Sequence, residues 1–297
     1  LSTFNAGIKS QLQIQTKTEI NTDSISVYKE PYPSTLQLTS YEPGSTVYIR
    51  AVVSDPFGSA DITAANLTIT DANTTTPVNN QAMPLVPTAT TASSKTFEYI
   101  YNIPPAPDGF WTINVTANEG LEGTISHTRS TTMIVGTVAI TVNKSSEVIF
   151  DPISSSNYKA IPGAIVEYTV NINNAGFGYA DNNSVVVADP IPVGTTLFFG
   201  QNPPVPLVVI PVDFIDGAAA SGLNFTLDVI DLGNTTDDVE FYNMGGSVLV
   251  TPTYDANGFD TTTPPIDFIR INPKGEFMGS DGTTNPSLQL KFRVRID

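Results

Sequence analysis

The chain has 297 residues, which at roughly 150 residues per domain suggests two domains. Charged residues are only 14% of the total, 29 acidic against 13 basic, and a net charge of −16 repels phosphate backbones and argues against a nucleic-acid binder. A hydrophobic fraction of 40% with fifteen Phe and eleven Tyr excludes a disordered chain, and the lack of cysteine removes disulfides, thiolate nucleophiles and Cys-based metal sites.

Residues 1–22 read as an N-terminal extension. Leu12, Ile14, Thr16, Thr18 and Ile20 alternate with Gln11, Gln13, Gln15, Lys17 and Glu19, the period of a strand with one apolar face. The opening at Leu1 rather than Met fits a processed mature chain whose signal peptide has been removed, although an artificially shortened chain would look the same. A first domain, residues 23–136, already has an opening strand at Ser24–Lys29, ended by Pro31 and Pro33. The earlier strand is therefore surplus. Left unpaired it would expose backbone donors and acceptors, so it either folds back on its own sandwich or completes a sheet in a neighbouring subunit.

Further along, Thr46–Val53 puts Val47, Ile49, Ala51 and Val53 on one face, and in DGFWTINVTANEG the residues Trp111, Ile113, Val115 and Ala117 face inward with Trp111 as a core plug. Seven N-x-S/T sequons occur; Asn66 and Asn114 fall on the outward face of their strands and are the candidate glycosylation positions. Asp55, Asp61 and Asp71 are carboxylates near the connection that follows. Thr124–Val135 reads as the closing strand of the first domain and carries His127, the single histidine, with no second His, no Cys and no G-x-S-x-G elbow to make a catalytic set.

Gly136 marks the expected boundary, and a second domain, residues 137–297, opens with a strand at Thr137–Val142, just before Lys144. Ile165–Asn173 turns Val166, Tyr168, Val170 and Ile172 inward. Leu288–Ile296 turns Leu288, Leu290, Phe292, Val294 and Ile296 inward and Gln289, Lys291, Arg293 and Arg295 outward. Pro- and Gly-rich insertions lie around Asn202–Pro206 and Ala256–Pro265. Gly245 and Gly246 form a turn without the Lys-Ser/Thr ending of a phosphate loop. Asp255, Asn257 and Asp260 in DANGFD, with Asp237, Asp238 and Glu240 in TTDDVE, are hard oxygen donors on loops, a chemistry suited to calcium, although the spacing is not that of an EF-hand and solvated turns explain it as well. No other cofactor is expected. No apolar run reaches the ~18 residues of a membrane-spanning helix.

The stretch Ile161–Pro192, IPGAIVEYTVNINNAGFGYADNNSVVVADPIP, resembles an Ig-like repeat domain of unknown function that recurs in prokaryotic cell-surface and secreted proteins. Its marks are the Pro162-Gly163 turn, the Tyr-Thr strand, the Asn174-Ala175-Gly176 turn, the Val-rich strand and the Asp189-Pro190 ending. The resemblance runs, with insertions, to the closing PSLQLKFRVRID. The first domain is similar, less sharply, to bacterial Ig-like modules through YEPGSTVYIRAVVSD and DGFWTINVTANEG. What the resemblance implies is surface architecture, with no catalytic motif to carry over. A Lys–Asn isopeptide crosslink from Lys144 is disfavoured because the closing strand has no Asn.

The expected fold class is all-β: two Ig-like antiparallel β-sandwiches in tandem with an extra N-terminal strand. The leading functional expectation is a secreted structural subunit, not an enzyme. It forms a homo-oligomeric, head-to-tail filament or surface array outside the cell, with the row Leu12, Ile14, Thr16, Thr18 and Ile20 added to a neighbour's sheet. The alternative is an adhesin or carbohydrate-binding protein acting through loop aromatics: Phe177, Tyr179, Phe198, Phe199 and Phe259.

Overall fold

A computed structural model describes residues 20–120, 125–200 and 208–297. Among them every regular element but one is a β-strand, the exception being a single 3-10 turn at Pro87–Ala89. The chain is all-β, in antiparallel sheets.

It divides into two compact units: described residues up to Leu38 with Gly44–Ile103 and Phe110–Met133, and Thr39–Pro43, Pro104–Gly109 and Ile134–Asp297. In the first, β1 (Asn21–Tyr28), β2 (Thr46–Ser54) and β5 (Ser94–Asn102) form one sheet in the order β1-β2-β5. The other sheet, ordered β4-β3-β6-β7, joins β3 (Ile62–Thr70), β4 (Val78–Ala82), β6 (Gly109–Glu119) and β7 (Ile125–Val135). Alternation does what the sequence pattern requires: Val47, Ile49, Ala51 and Val53 of β2 and Trp111, Ile113, Val115 and Ala117 of β6 are all fully buried. Trp111 sits 6.2 Å from the ring of Tyr101, tying β6 to β5 of the other sheet. Trp111 is therefore a core residue.

The second unit pairs β8 (Ile140–Phe150), β9 (Ile165–Asn174), β11 (Thr195–Phe198) and β16 (Ser287–Ile296) in the order β11-β16-β9-β8, with β12 (Val212–Asp216) also on β16. Facing it is the sheet β10-β15-β13-β14, from β10 (Val187–Pro190), β13 (Val239–Asn243), β14 (Val248–Val250) and β15 (Phe268–Ile271). The core between them takes Val166, Val170 and Ile172 from β9 and Leu288, Leu290, Phe292 and Val294 from β16, packed on Phe241, Ile269 and Ile271. Two expectations change here. The opening strand of this unit runs to Phe150 rather than ending at Val142, and Arg293, expected on an open outer face, is only 4% exposed because it lies between two carboxylates.

Candidate assembly surface and loop sites

Of the residues expected to contact a neighbouring subunit, Leu12, Ile14, Thr16 and Thr18 lie outside the described residues. Ile20 is described, and it is 2% exposed within the first unit. The strand that follows enters its ladder abruptly: Asn21 pairs with Ser54, the last residue of β2. Its neighbour Thr22 is fully buried and donates its backbone N–H to Nδ1 of His127 at 3.0 Å. The one histidine thus pins β1 to β7 as a hydrogen-bond acceptor, a structural task.

The strand β8 has a different character from the rest. It pairs along its length with β9 and, among the described residues, with nothing on its other side. Its register sets Val142 beside Ile172, Lys144 beside Val170 and Val148 beside Val166, so Ile140, Val142, Lys144, Ser146 and Val148 share the core-facing side of the sheet. Yet Ile140 is 41% and Val142 62% exposed. The core-facing row is uncovered at its beginning and closed only at its end, where Val148 packs on the core. In the middle, the Lys144 ammonium reaches across the sandwich to Asp189 of β10 at 2.6 Å, passing over the rings of Tyr168 and Phe292 at 4.5 and 5.1 Å. A charge on the inner face is tolerated because it is paired there.

What fixes the start of β8 is Asn174, the fully buried last residue of β9. Its Oδ1 accepts the amides of Ala139 (3.0 Å) and Gly176 (3.1 Å), and its Nδ2 donates to the carbonyls of Gly178 and Met278, both at 2.9 Å. The backbone of Thr137 runs so close to residues 176–178 that a Cβ on Gly176 would stand 2.1 Å from the Thr137 carbonyl oxygen. Only glycine fits that approach.

The outer face of the same sheet carries a charge network. Arg293 gives Nε and Nη2 to Glu167 and Nη2 to Asp213, while Lys291 reaches Glu167 at 2.7 Å. Burial pushes the Glu167 carboxyl up, but the Lys291 hydrogen bond and the Arg293 charge outweigh it and hold the group below its ordinary value.

The loop acids serve their own turns. Asp255 Oδ1 accepts the amides of Asn257 (2.8 Å) and Phe259 (3.1 Å); Asp260 takes Thr262 and Ile266, each at 2.9 Å. Partial burial opposes ionisation of Asp255, and those amides overcome it and lower its pKa. Asn257 directs its side chain at Asp255 rather than at Asp260. Asp237 caps Val239 and Asp228. Among the described residues no three His, Asp or Glu side chains converge as a metal-holding group. Asn66 and Asn114 are half-buried and lie on the faces turned from the core, Asn114 Oδ1 accepting from the hydroxyl of Ser130.

The aromatics expected on open loops are placed otherwise. Phe198 and Phe199 are 4% and 0% exposed, Phe177 and Tyr179 are half-buried, and Phe259 stacks on Phe198 at 5.2 Å beneath the Arg295 guanidinium. The reason is local: Phe198 is the last residue of β11 and Phe199 continues it by bonding Gly258, so Phe199 joins Leu197 in the core while Phe198, paired with Arg293, is buried on the opposite face against Phe259. The sequence reading gives Asn174 only as part of the turn that ends its strand, with no hint of its four buried bonds, and it misses the open edge of β8.

No family model and no curated protein matches the chain. Among solved structures, it is similar to one named BspA_C_WT, at 11% identity over 92% of this chain and 91% of that one with a TM-score of 0.28. A Corynebacterium diphtheriae protein described as membrane anchored and the secreted serine protease VesC from Vibrio cholerae also match at 11% identity, with TM-scores of 0.26 and 0.25. The chain spans about half the length of each of those two, 51% and 49%. Likenesses at this identity and TM-score carry no functional argument. No helix of the described residues is long and apolar enough to cross a membrane. What stands on the chain's own geometry is its class: an all-β protein of antiparallel sheets.

Proposed function

We propose that the chain is a secreted structural subunit that assembles head to tail into an extracellular filament or array, each molecule adding its N-terminal strand to the sheet of the next. One observation carries this reading. Asn21 pairs with the last residue of β2, so β2 has no residue left to pair with the alternating row upstream of Asn21. A ten-residue strand pattern from Gln11 to Ile20 needs a ladder, and a second copy offers one. A contact between two different surfaces does not close on itself, so it propagates. The extracellular setting comes from the resemblance at Ile161–Pro192.

The test is negative-stain electron microscopy with light scattering on the full chain and on a chain lacking residues 1–19; Ile20 is kept because it is buried. Filaments or higher oligomers that disappear on truncation support the reading. Assembly that persists without the segment, or a full chain that stays monomeric at high concentration, refutes it.

A further inference from the structure

We infer that the acceptor for the N-terminal strand is the open edge of β8, with residues 12–18 of a second copy lying parallel to Ile140–Ser146. This deepens the strand-addition reading and rests on it. Three observations single out β8 from the other edges.

The first is length. β8 has 11 residues, whereas β4 has 5, β14 has 3, and β10 has 4 and ends in Pro190; β1 with 8 and β5 with 9 come nearer, but β1 is bonded to His127 of β7 through Thr22, and the free side of β5 is bonded by Pro84 and Val86. Only β7 matches it, also with 11. The second is chemistry. The same row of β7 opens with Ile125, 43% exposed, but continues with His127, Arg129 and Thr131, polar side chains, so it offers one bare apolar position and not two in succession, and its end is occupied by a parallel bridge from Tyr41 to Val135. On β8 the corresponding positions are Ile140 and Val142, apolar side chains on a core-facing row with more than 40% of their surface in water. An inward row left bare is the imprint of a missing neighbour. The third is order. Reading along β8 the row is Ile140, Val142, Lys144, Ser146; along the extension it is Leu12, Ile14, Thr16, Thr18. Two apolar positions are followed by two that are polar or hydroxyl-bearing, in the same direction, and that match requires parallel pairing with Leu12 beside Ile140 and Ile14 beside Val142. Charge agrees. Residues 1–19 carry Lys9 and Lys17 against Glu19 in a chain whose net charge is −16. The occupant is thus a mildly basic strand meeting an acidic body.

The chain has no cysteine, so introduced pairs report without background. Directly adjacent residues on paired strands fall within disulfide reach. The experiment uses the full chain carrying Ile14→Cys with Val142→Cys, assembled under reducing conditions, checked by electron microscopy, then oxidised and run on a non-reducing gel. Pairs of Thr16→Cys with Val142→Cys (the antiparallel register of the same two spans) and of Ile14→Cys with Thr131→Cys (the β7 edge) run alongside. A ladder of multimers from the Ile14–Val142 pair, stronger than from either control, is expected. Filaments that crosslink instead through the Thr16–Val142 pair or through Thr131, or not at all, overturn the parallel β8 assignment and leave strand addition standing. A faster-migrating crosslinked monomer shows the extension folding onto its own chain and overturns both. Absence of filaments in the unmodified chain refutes the strand-addition reading itself.

A second measurement guards against a cysteine variant that fails to assemble. Val142→Asp, at a position 62% exposed, should abolish filaments while leaving the melting temperature of the subunit unchanged. Ile100→Asp, equally exposed on β5, should leave assembly intact. Equal effects of the two, or none from Val142→Asp, count against the proposal.

Discussion

Asn174 holds the entrance of β8, and removing its side chain should be among the most damaging single changes in the second unit. Asn174→Ala deletes four hydrogen bonds and orphans the amides of Ala139 and Gly176 and the carbonyls of Gly178 and Met278. A net hydrogen bond is worth roughly 1 kcal/mol and a buried unsatisfied group costs roughly 1–3 kcal/mol, so a loss of about 3–5 kcal/mol is expected once some of these groups recover water. Asn174→Asp sharpens the test. It keeps an acceptor for the two amides but sets a carboxylate oxygen against two carbonyl oxygens, where Nδ2 now donates at 2.9 Å. Burial and those carbonyls favour the protonated acid in the folded state. A folded-state pKa raised above the unfolded value gives stability that is present at low pH and lost as pH rises, so the deficit of Asn174→Asp relative to the parent should shrink on acidification. Urea denaturation followed by far-UV circular dichroism gives the energies, and fluorescence of Trp111, the one tryptophan of the chain and a core residue of the first unit, follows that unit separately. If Asn174→Ala lies within about 1 kcal/mol of the parent, the four bonds are not the anchor described and the argument from unsatisfied groups fails.

Two further outcomes follow from charge. Arg293→Ala would leave Glu167 and Asp213 facing one another without their shared cation, at a cost of about 3–5 kcal/mol, while Arg293→Lys, which keeps the charge and loses the fork, should cost less than half of that; paired urea melts measure both. For Asp151, burial raises the pKa, but amides of Ser154, Lys159 and Ile153 outweigh it and lower it to about 2. The folded carboxylate therefore protonates after the unfolded one as pH falls: its contribution is complete above the ordinary aspartate value near 3.8 and drains away towards about 2. Denaturation midpoints at about pH 6 and about pH 3 should show a larger drop for the parent than for Asp151→Asn, and equal drops would contradict the assignment.

Period-two patterning located several of the longer strands because the core accepts only apolar side chains: Thr46–Val53, Ile165–Asn173 and Leu288–Ile296 coincide within a residue or two with β2, β9 and β16. It failed where a polar group is matched by a partner distant in sequence. Lys144 broke the alternation of β8, so the strand was cut short at Val142, yet its ammonium sits between aromatic rings and Asp189 on the inner face. Arg293 read as a solvated outer residue because Glu167 and Asp213 lie 126 and 80 positions away. Phe198 and Phe199 read as loop residues because β11 spans only Thr195–Phe198, too short to show a period. The candidate donor row was legible as a pattern; its acceptor edge was not, since the sequence does not say which strand ends a sheet.

The long ladder between β8 and β9 also has a mechanical meaning. A force applied along the axis of β8 would load the hydrogen bonds to β9, which stand across the strand, together in shear instead of opening them one after another. The Lys144–Asp189 bridge ties the middle of that strand to the opposite sheet, and the four bonds of Asn174 clamp its beginning. A strand with little cover is thus still held at three places: along its ladder, at its middle and at its start.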